Sequence, residues 1–436
     1  MRLTSRPVSD ETFSALAKGG GGAGAMAELR AMQGLKNRLL VRALVLEAEE
    51  AGHPHAALSA RAYDLLAEME AHERERVESE LCHPAVGAWA LRTYLSLRAG
   101  TGAKDDPGRL AALVVAIAVR ARIACRVRLA VEEDTVVLPA LGSLTVPAGV
   151  RGVLDVTVRP DADGDGAELD LGRSTVRVDP LRDGTGWRVL RRLPVGPGLS
   201  LVVDDADPYR WPAGHVTEPR LSDSQVGHWA SCLHDAWRVL TARHWTVAAE
   251  LTSGISVLTP IHAPAFGQNS ATSRETFGTV ALSEPQHGLG MAATFAHEIQ
   301  HAKLTALTDM VDLTRPEDGR RHYAPWRSDP RPVNGLLQGA YAYLGVAGFW
   351  RRQHGLEQGA RAFRGQVEFA RWREAAYLVT GTLMSSGGLN ERGEEFVKAM
   401  RGTLERWLDE PVDLAVAAQA RREAGQHLTS WRRRNS

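Results

Sequence analysis

Phe295-Ala296-His297-Glu298-Ile299-Gln300-His301 is the stretch whose reading decides the rest of the chain. It has the form H-E-x-x-H. On a helix, residues four apart stand one turn apart on one face, so His297 and His301 point the same way. Two imidazoles so placed grip one metal ion, and Glu298 beside them acts on a metal-bound water or braces the site. A plain core helix is the poorer explanation, because burying His297, Glu298 and His301 without partners is costly. The flanks supply the element. Thr279-Val280-Ala281-Leu282-Ser283 reads as a short strand. Glu284-Pro285-Gln286-His287-Gly288 is turn chemistry, with Ser283 as candidate helix cap. Leu289 to Leu307 then carries Ala, Met, Leu, Phe and Ile without a proline. A strand feeding a helix that bears the pair is a zincin-like arrangement.

Outward from this helix, the periodicity predicts Leu221 to His244 as a helix before it and Val333 to about Arg352 as a helix after it. Further helices are predicted near Leu356–Thr382, Asn390–Leu408 and Val412–Trp431. Between them, His322-Tyr323-Ala324-Pro325-Trp326-Arg327-Ser328-Asp329-Pro330-Arg331-Pro332 is too rich in proline for a helix or a central strand, and reads as a rigid polar loop. Residues 123–219 hold short alternating apolar runs, from Cys125-Arg126-Val127-Arg128-Leu129 to Leu199-Ser200-Leu201-Val202-Val203, the pattern of antiparallel sheet. Within them, Asp161-Ala162-Asp163-Gly164-Asp165-Gly166 starts like a calcium loop but lacks its closing glutamate, so a hairpin turn is expected. Residues 1–122 are helical, with Gly19 to Gly24 as a flexible joint. The expectation is an α+β chain: a helical region 1–122, an antiparallel β-rich region 123–219, and a mainly helical, zincin-like metal-binding region 220–436.

Composition bounds the function classes. The 436 residues have room for two or three domains, and their formal net charge is zero, so no bulk field favours nucleic acid or an anionic membrane. Cys82, Cys125 and Cys232 are odd in number and far apart, which argues against a disulfide framework or a thiolate cluster. The start of the chain lacks an apolar signal-peptide core, and no run of roughly 18 apolar residues occurs. A cytoplasmic protein without nucleic-acid or membrane partners is expected.

Ala296-His297-Glu298-Ile299-Gln300-His301-Ala302-Lys303-Leu304, with Tyr323-Ala324-Pro325-Trp326-Arg327 and Gly335-Leu336-Leu337-Gln338-Gly339-Ala340-Tyr341, resembles the HEXXH-motif proteins found with ribosomally made peptide natural products. His83-Pro84 and Gly87-Ala88-Trp89 resemble that family's N-terminal part, so the likeness spans most of the chain. The resemblance implies an iron-containing, 2-oxoglutarate-dependent peptide β-hydroxylase acting on a ribosomal precursor peptide, with a radical-SAM maturase in the same pathway. No radical-SAM cysteine triplet is present, so this would be the stand-alone form. Spacing alone points instead to a zinc metallopeptidase processing a peptide or its leader.

Chemistry separates the two. A peptidase needs a metal-activated water and a general base, for which Glu298 is suited. A hydroxylase needs Fe(II) with open positions for 2-oxoglutarate and dioxygen, and a cation for the far carboxylate of the cosubstrate. Arg327 and Arg331 are the candidates for that cation, with an ion pair to Asp329 as the alternative; Tyr323 adds a hydrogen bond or packs in a core. For the third metal ligand, the helix where a large zincin class carries glutamate offers Gln338, on a face shared with Tyr341 and Ala342. His322, Asp309 and Asp329 are the reserves. In a hydroxylase Glu298 is a brace or proton handler for the site.

Overall fold

The structure, a computed structural model, describes residues 8–101, 105–162, 164–212, 216, 220–264 and 267–435. Its helices and strands make it an α+β protein. The first third forms α1 (Asp10–Ala17), α2 (Gly22–Glu50), α3 (Ala56–His72), α4 (Arg74–Leu81), α5 (Pro84–Ala99) and α6 (Leu110–Ala121). Strands follow: β1 (Cys125–Val131), β2 (Thr135–Leu138), β3 (Gly142–Thr145), β4 (Gly152–Pro160), β5 (Ala167–Asp170), β6 (Thr175–Val178), β7 (Trp187–Val189), β8 (Arg191–Gly196) and β9 (Leu199–Val203). Then come α7 (Asp223–Arg243), α8 (Trp245–Gly254), β10 (Val257–Pro260), β11 (Ser270–Ala271) and β12 (Thr279–Leu282). The chain closes with α9 (Gly288–Thr308), α10 (Val333–Gln353), α11 (Gly359–Ser385), α12 (Glu391–Leu408) and α13 (Leu414–Asn435). Among the described residues, no helix is long and apolar enough to cross a membrane.

Two compact units result. One comprises Met1–Arg30, Ser231–Ile255 and Pro285–Ser436; the other comprises Ala31–Ala230 and Ser256–Glu284. The predicted borders near 122 and 219 mark changes of secondary structure, and the units are cut differently. The reason is α6. Leu110 to Val119 is buried on every side, so this helix needs apolar neighbours all round and finds them in the β-rich segment as well as in α3 and α4. Val127, Leu129 and Val131 of β1 and Val156 and Val158 of β4 supply alternate inward residues to that core.

The β-rich segment divides into more than one sheet. β1-β4-β5-β6 and β2-β3-β7 are antiparallel throughout. Leu199–Val203 does not continue them. It lies in a mixed sheet of order β11-β12-β10-β9-β8, where β10 runs parallel to both β9 and β12. The antiparallel neighbour expected of β9 is present as β8; its parallel partner β10, over 50 residues downstream, leaves no local signal. The Asp161 to Gly166 stretch joins the antiparallel β4 and β5, as a hairpin turn does, although Asp163 lies outside the described residues.

In the other unit, α10 packs against both α9 and α11. Gly345 makes this possible on the α9 side. A β-carbon there would meet the Ala296 carbonyl oxygen at 2.5 Å and Gln300 Cγ at 2.6 Å, so only glycine lets the two helices come this close.

Candidate metal centre

Helix α9 begins at Gly288 and is capped by His287, whose Nδ1 accepts the Gly290 N–H at 2.9 Å. The expected cap, Ser283, is too early. Its hydroxyl accepts the Asn269 N–H at 3.0 Å instead. Two faces of α9 do different work. Lys303 and Gln300 point away from the histidines into the interior. The Lys303 ammonium, 1% exposed, donates to Glu250 Oε1 at 2.8 Å, to the Gly20 carbonyl at 3.0 Å and to the Gly19 carbonyl at 3.4 Å. Gln300 Nε2 adds a bond to Gly19 O at 3.1 Å, and the Gly22 N–H donates to Glu250 Oε1 at 3.1 Å. The glycine run is therefore a docked turn and not the flexible joint expected. Gly19 (φ 84°) and Gly21 (φ 129°) take backbone conformations open to glycine, and the Gly19 and Gly20 carbonyls are held by one buried cation.

The opposite face carries the pair. His297 and His301 lie edge to face with ring centroids 4.8 Å apart, both half-buried. Gln338 of α10 presents Oε1 to His301 Nδ1 at 3.1 Å, while its Nε2 donates to Thr305 Oγ1 at 3.4 Å. This contact holds the His301 ring from its Nδ1 side and leaves Nε2 as the nitrogen available to an ion. Burial, reinforced by His301, pushes His297 down to about 3, so its imidazole is neutral and also carries a lone pair near neutral pH. Glu298 is buried, with Oε1 3.9 Å from His297 Nε2.

A wall of aromatic rings continues from His297. Tyr343 meets it edge-on at 5.2 Å, Trp326 stacks on Tyr343 at 4.9 Å, and Trp372 of α11 packs on Tyr343 at 4.2 Å. Gly339 seats Trp326: a β-carbon there would lie 2.3 Å from the indole nitrogen. Trp372 Nε1 donates to Glu368, and Arg371 lies over the Trp372 ring at 4.4 Å while pairing with Glu423 at 2.9 Å. Burial pushes the Tyr343 phenol up to about 12, so it remains a neutral hydrogen-bonding group. Sequence reading missed Tyr343, Trp372 and Arg371. Tyr341 and not Tyr343 shares the predicted face of Gln338, yet Tyr341 is buried and donates its hydroxyl to Leu16 O at 2.7 Å. The usable signal was the clustering of Trp326, Tyr343 and Trp372 within the segments flanking the motif.

The other predicted residues are placed as follows. The loop from His322 to Arg331 is closed at its base by two backbone bonds between these residues, at 2.8 and 2.9 Å. Arg327 Nε and an Arg331 terminal nitrogen both bind Asp329, at 2.9 and 3.0 Å. The Tyr323 hydroxyl is hydrogen-bonded with His427 Nδ1 at 2.9 Å, and its ring packs on Trp431 of α13. Asp309 caps the C-terminus of α9. Among the described residues, the only triplet of His, Cys, Asp or Glu donors close enough to share an ion is His53, His55 and Asp106, so no acid joins His297 and His301. A cavity of about 170 Å³ backs the far face of α9 at Ala296 and Gln300, and one of about 1000 Å³ lies by His287 and Leu289; neither is lined by the histidine pair. No family model and no curated protein matches this chain.

Proposed function

We propose that this protein is an iron(II)- and 2-oxoglutarate-dependent oxygenase that hydroxylates the β-carbon of a residue in a ribosomally synthesised precursor peptide. The observation that carries the reading is the His297/His301 pair with Gln338, and no acid, on the facing helix. That donor set fits two nitrogen ligands of a non-haem iron site and lacks the glutamate that completes a common class of zinc peptidases. His297 and His301 would hold the ion, and Gln338 fixes the His301 ring or adds its amide oxygen. Iron with 2-oxoglutarate supplies the oxidising power to turn C–H and dioxygen into C–OH.

The chain's own residues do the rest. Trp326, Tyr343 and Trp372 offer an apolar wall beside His297 that orients a peptide side chain and keeps water away. Arg327 and Arg331 are already converged on one carboxylate, Asp329, and a cosubstrate carboxylate would compete with it for them. Glu298 braces the site from its buried position. The zincin-like strand-to-helix entry into α9 and the motif resemblance support the same assignment, with a peptide, and a radical-SAM enzyme of the same pathway, as partners.

A zinc metallopeptidase is the second reading, favoured by the approach of Glu298 Oε1 to His297 Nε2 at 3.9 Å. Anaerobic loading with Fe(II), followed by mass spectrometry of a candidate precursor peptide incubated with and without 2-oxoglutarate, decides. A mass gain of one oxygen that requires 2-oxoglutarate supports hydroxylation. Cleavage with zinc and no oxygen gain replaces it with the peptidase.

A further inference from the structure

We propose that His53, His55 and Asp106, which belong to the compact unit that does not contain α9, form a second and independent site for a first-row divalent metal ion. One donor atom from each lies within 4.8 Å of the others. An ion at roughly 2.0–2.2 Å from nitrogen and oxygen donors needs them no more than about 4.2 Å apart, which a small side-chain rotation supplies. Two imidazoles and one carboxylate suit zinc, cobalt, nickel or ferrous iron, and not calcium or magnesium, which take oxygen shells.

The donors are held in place by other bonds. His53 and His55 flank Pro54 in the turn after α2, where the His53 N–H is fixed to Ala48 O at 2.9 Å and the Ala56 N–H to His53 O at 2.9 Å. Their rings meet edge to face at 5.7 Å. His53 Nδ1 accepts the His55 N–H at 3.1 Å, which fixes the ring and leaves Nε2 to take an ion on release of its proton. Asp106 is fixed twice over: its carbonyl accepts the indole N–H of the buried Trp89 at 3.1 Å, and its Oδ1 accepts the Gly108 N–H at 2.7 Å. His55 Nδ1 and Asp106 Oδ1 stand 2.8 Å apart. Two lone-pair atoms at that distance require a cation between them. A proton serves now, and a metal ion takes its place, releasing the proton to solvent. The His55 and Asp106 side chains are 23% and 21% exposed, so solvent reaches the pair.

The test uses the full chain carrying His297→Ala and His301→Ala, stripped with chelator, equilibrated with Zn(II), desalted and assayed by elemental mass spectrometry. One ion per chain is expected. Adding Asp106→Asn, whose amide oxygen still accepts the Gly108 N–H, or His55→Gln, should weaken binding at least ~10-fold, with an unchanged circular dichroism spectrum. A double-alanine chain that takes up no zinc overturns the proposal, as does zinc bound equally well after Asp106→Asn and His55→Gln. Because the α9 histidines are absent throughout, neither result bears on the oxygenase reading.

Discussion

Lys303→Met should destabilise the protein far more than a surface lysine would. Lys303 and Glu250 are 1% and 3% exposed and 2.8 Å apart, and the ammonium also satisfies two glycine carbonyls. Breaking a buried pair by removing one partner costs about 3–5 kcal/mol, because the other charge stays buried alone. Met keeps the length and apolar stem of lysine, so little of the loss comes from packing. Glu250→Gln should cost less, roughly 1–3 kcal/mol, since its amide oxygen still accepts from Lys303 and Gly22. The Glu250→Gln/Lys303→Met double variant should be less unstable than the sum of the two, with a coupling of about 1–3 kcal/mol. Urea unfolding of the four chains measures this cycle. Amide exchange adds a local readout: protection around Gly19 to Gly22 should fall in Lys303→Met, which loses the bonds to the Gly19 and Gly20 carbonyls, and fall less in Glu250→Gln, whose amide oxygen still accepts the Gly22 N–H. A Lys303→Met chain within about 1 kcal/mol of wild type, or strict additivity, would refute the claim that this pair fastens the glycine turn to the metal helix.

Other outcomes follow from the same geometry. Gly345→Ala, which in an exposed helix would stabilise by up to ~1 kcal/mol, should instead cost about 1–3 kcal/mol in urea unfolding, because its methyl meets Ala296 O at 2.5 Å. Gln338→Leu frees the His301 ring and should weaken metal affinity about 10–100-fold, read by competition with a chromophoric chelator. Burial pushes His83 down to about 4 from its ordinary 6.5, so the unfolded chain takes up that proton first. Stability from this group is complete above pH 6.5 and is lost as pH falls toward 4, by up to about 3 kcal/mol. Unfolding free energies measured across this window should fall less steeply in His83→Leu than in wild type; equal slopes would contradict the assignment.

Much of the unit that contains α9 was legible because its helices are long and strongly periodic. The helix predicted over Leu289 to Leu307 is observed as Gly288–Thr308, and the one over Val333 to Arg352 as Val333–Gln353. Periodicity did not reveal α8, a ten-residue helix abutting α7, and so missed Glu250. Within the helical first third, Glu73-Arg74-Glu75-Arg76 has no apolar residue to keep the chain on its path, and α3 ends at His72. The histidine pair was legible because its spacing is local. Gln338 was named as a candidate third ligand and stands beside the pair, but against His301 Nδ1; the Lys303–Glu250 pair, which spans 53 residues, was not legible. Local spacing names donors, but only packing shows which helix presents an amide and which ring forms the wall. For the same reason Arg327 and Arg331, two residues either side of Asp329, left the choice between ion pair and cosubstrate clamp open, and the structure places both on Asp329.

The most direct test of the central claim is anomalous diffraction at the absorption edge of the metal, from crystals of the full chain loaded anaerobically with Fe(II). A peak bonded to imidazole nitrogens of both His297 and His301 is the predicted result. Iron absent from that position, with the two rings in the same place and bonded only to protein or water, would contradict it.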